Sequence, residues 1–443
     1  MQKFFTPNSV AVIGVSKNPK KVGSVIFTNL KSYSKKVIPI NPNEKKIQGV
    51  KAYASVLDVK GSIDLAIISV PAQFAIKVVD QCGRKGIKHV IIVTSGFKEI
   101  GNDRLDHELY KTLEKYKIKC VGPNCLGIYD AHSGFDSLFL PIAQMKRPKK
   151  GGISFISQSG ALGSALVDLA AYEEFGFAKF ISYGNATNLN ESDYLEYLGK
   201  DPKTKIICLY VEGIKDGKKF MRVAKNIKKP IIVIKGGKTE RGSKATMSHT
   251  GSLAGSFEVY KGAFKQSNIV IADSLAELFH IAKMFDKLTY KKGKRVQVIT
   301  NGGGYGIVTT DALEENNVEL AELSEKTRKR LVALFPKICA IHNPMDLVGD
   351  ATDERYSIAI DACMRDRNID ALLVILLPQT PLITKKIIYE LKKYQGKKPM
   401  AFVVTGGQKT LPFVREMEKN GFPVFQYPSE AVRAMKKFIS WKT

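Results

Sequence analysis

The 443-residue sequence is short of cysteine, tryptophan and acidic side chains. Its six cysteines (82, 120, 125, 208, 339 and 363) are scattered, with no spacing that suits a metal site or a disulfide framework. Cys120 and Cys208 lie in apolar runs and read as buried free thiols, which points to a reducing, cytoplasmic setting. Long hydrophobic runs are also missing. The most apolar stretch, Ala371 to Leu377, is closed by Pro378 and falls far short of the ~20 residues that a spanning helix needs. The first residues show no apolar core of a signal peptide, so no membrane association is expected.

Acidic residues number 42 against 69 lysines and arginines, a net charge of +27. Such a balance invites a nucleic-acid partner, but the lysines are spread along the chain and no aromatics interleave with them. The densest basic clusters, 146–150 and 291–295, fall where domain linkers are expected. The charge is better suited to steering anionic small molecules or an acidic partner protein. Three motifs are missing as well. No G-x-G-x-x-G follows the first strand, which leaves a nicotinamide fingerprint unsatisfied. G-x-S-x-G is absent, which argues against a serine hydrolase. The glycine loops do not take the Walker form G-x-x-x-x-G-K-[ST] that would cradle a nucleoside triphosphate.

What is present is an ordinary globular balance, 44% hydrophobic and 25% charged, arranged as β-branched runs alternating with amphipathic stretches. That alternation predicts parallel α/β architecture. Strands are expected at 9–14, 36–40, 64–70, 89–93 and 119–121. Leu105, Leu109, Leu113 and Tyr116 recur at helical spacing. Two later openings align without a gap, 152–163 and 295–306. Ser157 matches Thr300, Gly160 matches Gly303 and Gly163 matches Gly306, each 143 residues apart, which suggests an internal duplication. The chain therefore divides into three expected domains, 1–147, 148–291 and 292–443.

In such folds ligands sit at the carboxyl ends of the strands. The first loop holds Gly14, Ser16, Lys20, Lys21 and Gly23 between a strand and a helix, a context that suits phosphate. Further strand-end turns carry Asn41 and Pro42, Val70 and Pro71, Ser95, Gly96 and Phe97, and Pro123 and Asn124. In the second region Ser157, Gln158, Ser159 and Gly160 make a small-residue turn into a helix, where hydroxyls and amides suit a phosphate or an acyl phosphate. His249 stands in a small, polar stretch, 248–255, expected as a loop before a helix, with Thr250, Gly251 and Ser252 as further phosphate donors. Glu212 ends an apolar run and faces the ligand end of its strand. A carboxylate there would fix the imidazole tautomer and leave one nitrogen free to attack phosphorus. The motifs 301–306 and 343–347 of the third region have no evident chemical role, and subunit contact or completion of the site is the expectation for them.

Taken together, the first loop and its companion turns resemble the coenzyme A-binding domain shared by succinyl-CoA synthetase α subunits and the NDP-forming acyl-CoA synthetases. The stretch from Ser248 to Gly255 is similar to the phosphohistidine loop of the ADP-forming acyl-CoA synthetases. The resemblance covers essentially the whole chain. It implies one Rossmann-like CoA-binding domain and two flavodoxin-like ligase domains, all doubly wound parallel sheets. It implies the reaction acyl-CoA + ADP + phosphate ⇌ acid + CoA + ATP, passing through an acyl phosphate and phospho-His249, with acetate the default acid and Glu212 supporting the histidine. Coenzyme A and phosphate would bind this chain. ADP or ATP with Mg²⁺ would bind a separate ATP-grasp β subunit in a hetero-oligomer, for which α2β2 is one arrangement. The alternatives are a succinyl-CoA synthetase-like α subunit and a non-enzymatic, CoA-responsive or nucleic-acid-associated protein.

Overall fold

The computed structural model describes residues 1–250 and 256–441, and the side chains of all of these except 247–250. The alternation read from the sequence becomes strands and helices that alternate along most of the chain. The first sheet holds β1 (Ser9–Ile13), β2 (Lys36–Ile40), β5 (Leu65–Ile68), β6 (His89–Ile92) and β7 (Lys119–Val121), with a small hairpin of β3 (Lys46–Ile47) and β4 (Val50–Lys51) beside it. Its order is β2-β1-β5-β6-β7, all parallel. Every residue of β1 and β5 is buried, as continuous apolar strands of a parallel sheet covered on both faces should be. The helices are α1 (Val22–Asn29), α2 (Ala72–Arg84) and α3 (Asp103–Tyr116).

The second sheet is built on β10 (Lys150–Ser157), β11 (Phe177–Ser182), β12 (Ile206–Val211), β13 (Ile231–Lys235) and β14 (Val270–Ile271), all parallel. It is widened by β8 (Gly127–Asp130) and β9 (Phe135–Asp136), giving the order β14-β13-β12-β10-β11-β8-β9. These two strands precede the boundary expected near 147, yet they run antiparallel onto the second sheet. Lys179 of β11 holds them there: its ammonium lies 3.3 Å from Asp130 and 2.9 Å from Asp201, all three buried. The helices here are α4 (Gly160–Tyr172), α5 (Glu191–Lys200), α6 (Gly217–Lys225), α7 (Glu240–Thr250) and α8 (Phe257–Gln266). Both sheets belong to one compact unit, Met1–Ile271.

A second unit spans Ala272–Thr443. It carries β15 (Arg295–Thr300), β16 (Glu319–Leu320), β17 (Met345–Asp346), β18 (Ala371–Ile375), β19 (Met400–Val403) and β20 (Val424–Phe425), in the order β16-β15-β18-β19-β20 with β17 also on β15. Its helices are α9 (Leu275–Lys287), α10 (Gly303–Glu315), α11 (Glu325–Leu334), α12 (Asp353–Arg365), α13 (Lys386–Leu391), α14 (Leu411–Lys419) and α15 (Pro428–Ile439). The boundary expected near 292 leaves α9 with the preceding domain. Its buried face of Leu278, Phe279, Ile281, Ala282 and Met284 instead packs on α15 in the second unit, with the Phe285 and Phe438 rings 5.0 Å apart.

With the hairpin and the two-residue β17 set aside, the parallel strands of all three sheets follow one order, 2-1-3-4-5 in chain sequence. The aligned openings agree in finer detail. Helices α4 and α10 start at Gly160 and Gly303 and have 13 residues each. In both turns the strand's last hydroxyl donates to the carbonyl two residues on, Ser157 to Ser159 at 2.6 Å and Thr300 to Gly302 at 3.1 Å.

Candidate functional site

A 2-1-3-4-5 sheet opens a crevice outside the carboxyl ends of its first and third strands, where the chain turns to opposite sides. In the first sheet those ends are β1 and β5. Gly14 follows β1 with φ +95°, and a Cβ on it would meet the Ser69 carbonyl oxygen at 2.8 Å. A Cβ on Gly23 would meet the Gly14 carbonyl oxygen at 2.6 Å and the Ser69 hydroxyl at 2.5 Å. Only glycine at both positions lets β1, β5 and the start of α1 come this close. Lys21 is the N-cap of α1 and gives no side-chain cap; Lys20 and Lys21 are both exposed. The Ser16 amide is taken by the Ser24 hydroxyl at 3.1 Å.

Backbone and side-chain bonds knit the other turns to this one. The Gly14 N–H donates to Ile40, Asn41 Nδ2 to Val15 at 2.6 Å, Thr94 Oγ1 to Val70 at 2.7 Å, and the Asn124 N–H to Thr94 at 2.8 Å. The turns bearing Asn41 and Pro42, Val70 and Pro71, Ser95 to Phe97, and Pro123 and Asn124 thus form one rim. One of them is occupied from within. The Glu99 carboxylate accepts the Gly96 and Phe97 N–H groups and, at 2.6 Å, the Asn185 amide. Burial pushes the Glu99 carboxyl up, but these donors outweigh it and hold it below the usual carboxylate range. Phe97 is fully buried. Neither Glu99 nor Asn185 stands out in the sequence, because one lies past the glycine turn and the other comes from the second sheet.

In the second sheet the crevice lies between β10 and β12. Gln158 and Ser159 follow β10, and Ser159 caps α4 by accepting the Leu162 N–H at 3.3 Å. Glu212 follows β12 and is buried. Its Oε1 accepts the Tyr210 hydroxyl at 3.2 Å, and its own N–H donates to the Gln158 side-chain oxygen at 2.8 Å. Lys235 ends β13 beside it, buried, bonded to the Gly236 carbonyl and 4.7 Å from the centre of the Tyr260 ring. Burial pulls the Lys235 ammonium below its ordinary pKa, and the Glu212 charge works the other way. A Cβ on Gly236 would meet the Tyr210 hydroxyl at 2.8 Å, so that glycine leaves room for the cluster. Tyr210 escapes sequence reading because it lies inside an apolar strand and looks like core.

From this end of β13 the chain turns at Gly237, φ +72°, where a Cβ would meet the Thr246 hydroxyl of α7 at 2.6 Å. Helix α7 packs against the turn at Lys98–Ile100, which carries Glu99. Ser248, His249 and Thr250 are the last residues of α7, not the start of a loop as expected from their small, polar company. Glu240 and Lys244, paired one turn apart at 2.9 Å, help carry the helix forward. The side chains of His249 and Thr250, and the residues Gly251 and Ser252, lie outside the described residues. Among the described residues no helix is long and apolar enough to cross a membrane, and no cluster of side chains suits a metal ion.

In the third sheet both motifs serve the fold. Asn301 Oδ1 accepts the Tyr356 hydroxyl at 2.9 Å and the Leu377 N–H at 3.1 Å. Asn343 bonds β15 like a piece of strand, accepting the Val298 N–H at 3.0 Å and donating to Val296 at 2.8 Å and Ala321 at 3.0 Å.

Family models match three stretches of the chain: a CoA binding domain over residues 8–131, a succinyl-CoA ligase like flavodoxin domain over 150–285 and a ligase-CoA domain over 296–439. Fold and family models define a ligase of the coenzyme A class. The α subunit of ADP-forming acetate–CoA ligase II from Pyrococcus furiosus is 41% identical to this chain, over 97% of the chain and 95% of its own length. ADP-forming acetate–CoA ligase from Methanocaldococcus jannaschii is 42% identical over 98% of the chain, which spans 62% of that longer relative. Acetyl-coenzyme A synthetase 1 of Ca. Korarchaeum cryptofilum, solved with phosphate and ADP, superposes with a TM-score of 0.93 at 36% identity, covering 99% of this chain and 96% of that one. The chain belongs to the family of ADP-forming acetate–CoA ligases, on the side of their α subunits.

Proposed function

We propose that this chain is the α subunit of an ADP-forming acyl-CoA synthetase, which converts acyl-CoA, ADP and phosphate to the acid, CoA and ATP, with acetate the default acid. Phosphate attacks the thioester carbonyl, the CoA thiolate leaves and an acyl phosphate forms. An imidazole nitrogen of His249 then attacks phosphorus and the carboxylate leaves. The phosphoryl group passes from His249 to ADP on a partner subunit of the ATP-grasp type, where Mg²⁺ would act. With its six cysteines free and buried, the protein would work in the reducing cytoplasm.

The observation that carries this reading is the convergence at one crevice of Glu212, the α4 N-terminus and the end of β13 that leads to α7. Glu212 would accept the second ring N–H of His249 and stabilise the imidazolium-like state. Phosphate would take the backbone amides at Ser159 and Gly160, favoured by the helix dipole at about 0.3–1 kcal/mol. Ser157 and Gln158 then act through the turn, since their side chains already bond within the protein. Coenzyme A would lie on the rim of the first sheet, at Gly14, Ser16, Lys20, Lys21 and Gly23 and the turns knitted to them, a cradle that a single Cβ would fill. The three expected domains would be the working modules: CoA binding, phosphohistidine and a structural third. Other acids remain open to the family, since a 4-hydroxybutyrate–CoA ligase from Nitrosopumilus maritimus is 34% identical over 98% of this chain.

Incubation with labelled phosphate and acetyl-CoA tests the core of the reading. The wild type should take up an acid-labile, base-stable label. His249→Ala should take up none while still binding CoA, and Glu212→Gln should label far more slowly. Equal labelling of the alanine variant would refute the assignment.

A further inference from the structure

Gln158 looks in the sequence like a phosphate contact, but its side chain faces the protein. Its oxygen accepts the N–H of Glu212 at 2.8 Å and of Gly213 at 3.2 Å, and the Tyr183 hydroxyl lies 3.5 Å away. Two backbone N–H groups converging on one end of a carboxamide require that end to be the oxygen. The main chain of the same residue grips β12 two residues before Glu212: the Gln158 N–H donates to the Tyr210 carbonyl at 3.1 Å. The Tyr210 hydroxyl in turn donates to Glu212 Oε1 at 3.2 Å. One residue of the β10–α4 turn therefore fixes both ends of the stretch from Tyr210 to Gly213.

We propose that Gln158 is a positioning residue for Glu212, tying the carboxylate's backbone to the turn that starts α4. The direction of the Glu212 side chain follows from its Cα–Cβ bond, which the two accepted N–H groups hold. Because the clamp springs from the α4 turn, movement of that turn would carry Glu212 with it. The crevice thus keeps one spacing between bound phosphate and the carboxylate that supports the histidine. This inference rests on the reading of Glu212 and the α4 turn given above.

The two roles open to Gln158 leave different kinetic marks. A phosphate ligand, once removed, raises the KM for phosphate. A positioning residue lowers kcat and leaves that KM alone. The test follows thiol release from acetyl-CoA with varied phosphate, in the full chain together with its partner subunit. Gln158→Met, of similar length but with no strong acceptor, should lose about 10- to 100-fold in kcat, the scale of a small misplacement of a catalytic group. Its phosphate KM should stay within about twofold of the wild type. Gln158→Glu keeps an acceptor for both N–H groups and should recover most of the lost kcat, again with phosphate KM little changed. CoA binding and thermal melting confirm folding, and the glutamate variant carries the test if the methionine variant does not fold. A kcat of Gln158→Met within about twofold of wild type, or a phosphate KM raised about tenfold in either variant, would overturn the proposal. If the wild type releases no thiol, the functional reading itself fails. If it does, and Glu212→Gln is slow while Gln158→Met is not, only this inference falls.

Discussion

His89 opens β6 with its ring edge-on to Phe4, the centroids 5.1 Å apart. Burial first, then the positive charges of the N-terminus and Lys119, push its imidazole down to about 4, while Asp64 works the other way. The folded protein therefore resists a proton that the unfolded chain accepts near pH 6.5. Between about 6.5 and 4 the unfolded state binds more protons, so stability rises with pH and is lost as pH falls through that window. Thermal melting at pH 7, 5.5 and 4 should show a steeper fall for the wild type than for His89→Gln. Equal slopes would mean that other groups set the acid limit. The catalytic candidates follow a different logic at this scale. Glu212 could be read from its place at a strand's end, but Tyr210, Lys235 and Glu99 could not. Tyr210 lies within an apolar run, the role of Lys235 rests on burial, and Glu99 is tied to Asn185 of a distant turn, none of which leaves a mark in local sequence.

At the scale of elements, the glycine turns were the most legible part of the chain, because a glycine between strand and helix answers a local steric demand. Gly23 shows the demand in numbers. An added Cβ would lie 2.6 Å from the Gly14 carbonyl oxygen, which is backbone and cannot swing aside. The first turn of α1 would have to retreat from β1 and β5. Gly23→Ala should keep its far-UV circular dichroism yet weaken CoA binding by at least about tenfold, the effect of losing about 1.4 kcal/mol. Calorimetric titration with CoA checks this, and unchanged affinity would move the CoA site elsewhere. Less legible were β8, whose antiparallel pairing with β11 joins residues some fifty positions apart in the chain, and β9, which follows it onto that sheet. The end of α7 was misread for a related reason. Composition argues for a loop at Ser248 to Thr250, but a helix already under way from Glu240 extends more cheaply than it starts. The likeness of the two turns, by contrast, was open to sequence reading, since equal spacing of Ser157, Gly160 and Gly163 with Thr300, Gly303 and Gly306 needs no tertiary information.

The proposed reading allots CoA, phosphate and the phosphohistidine to this chain, and the sequence has no glycine loop of the Walker form. Relatives of two lengths bear on this. The Pyrococcus furiosus α subunit is matched over 95% of its length, whereas the Methanocaldococcus jannaschii enzyme is matched over 62%. The unmatched third of the longer relative is where a further module would lie, and in the α-subunit form that module would come from a separate chain. The net charge of +27 favours assembly if that chain is acidic, through attraction that salt screens over a Debye length of about 8 Å at physiological strength. The purified chain should therefore bind CoA, and in the presence of acetyl-CoA and phosphate should label His249, yet make no ATP when ADP is added. ATP should appear on adding an ATP-grasp-bearing subunit, and raising the salt should weaken the pair if charge assists it. The decisive measurement is luminescent detection of ATP with the chain shown by mass spectrometry to be free of other proteins. Robust ATP synthesis under that condition would mean that one of the three crevices binds ADP after all, and the separate-subunit arrangement would be wrong.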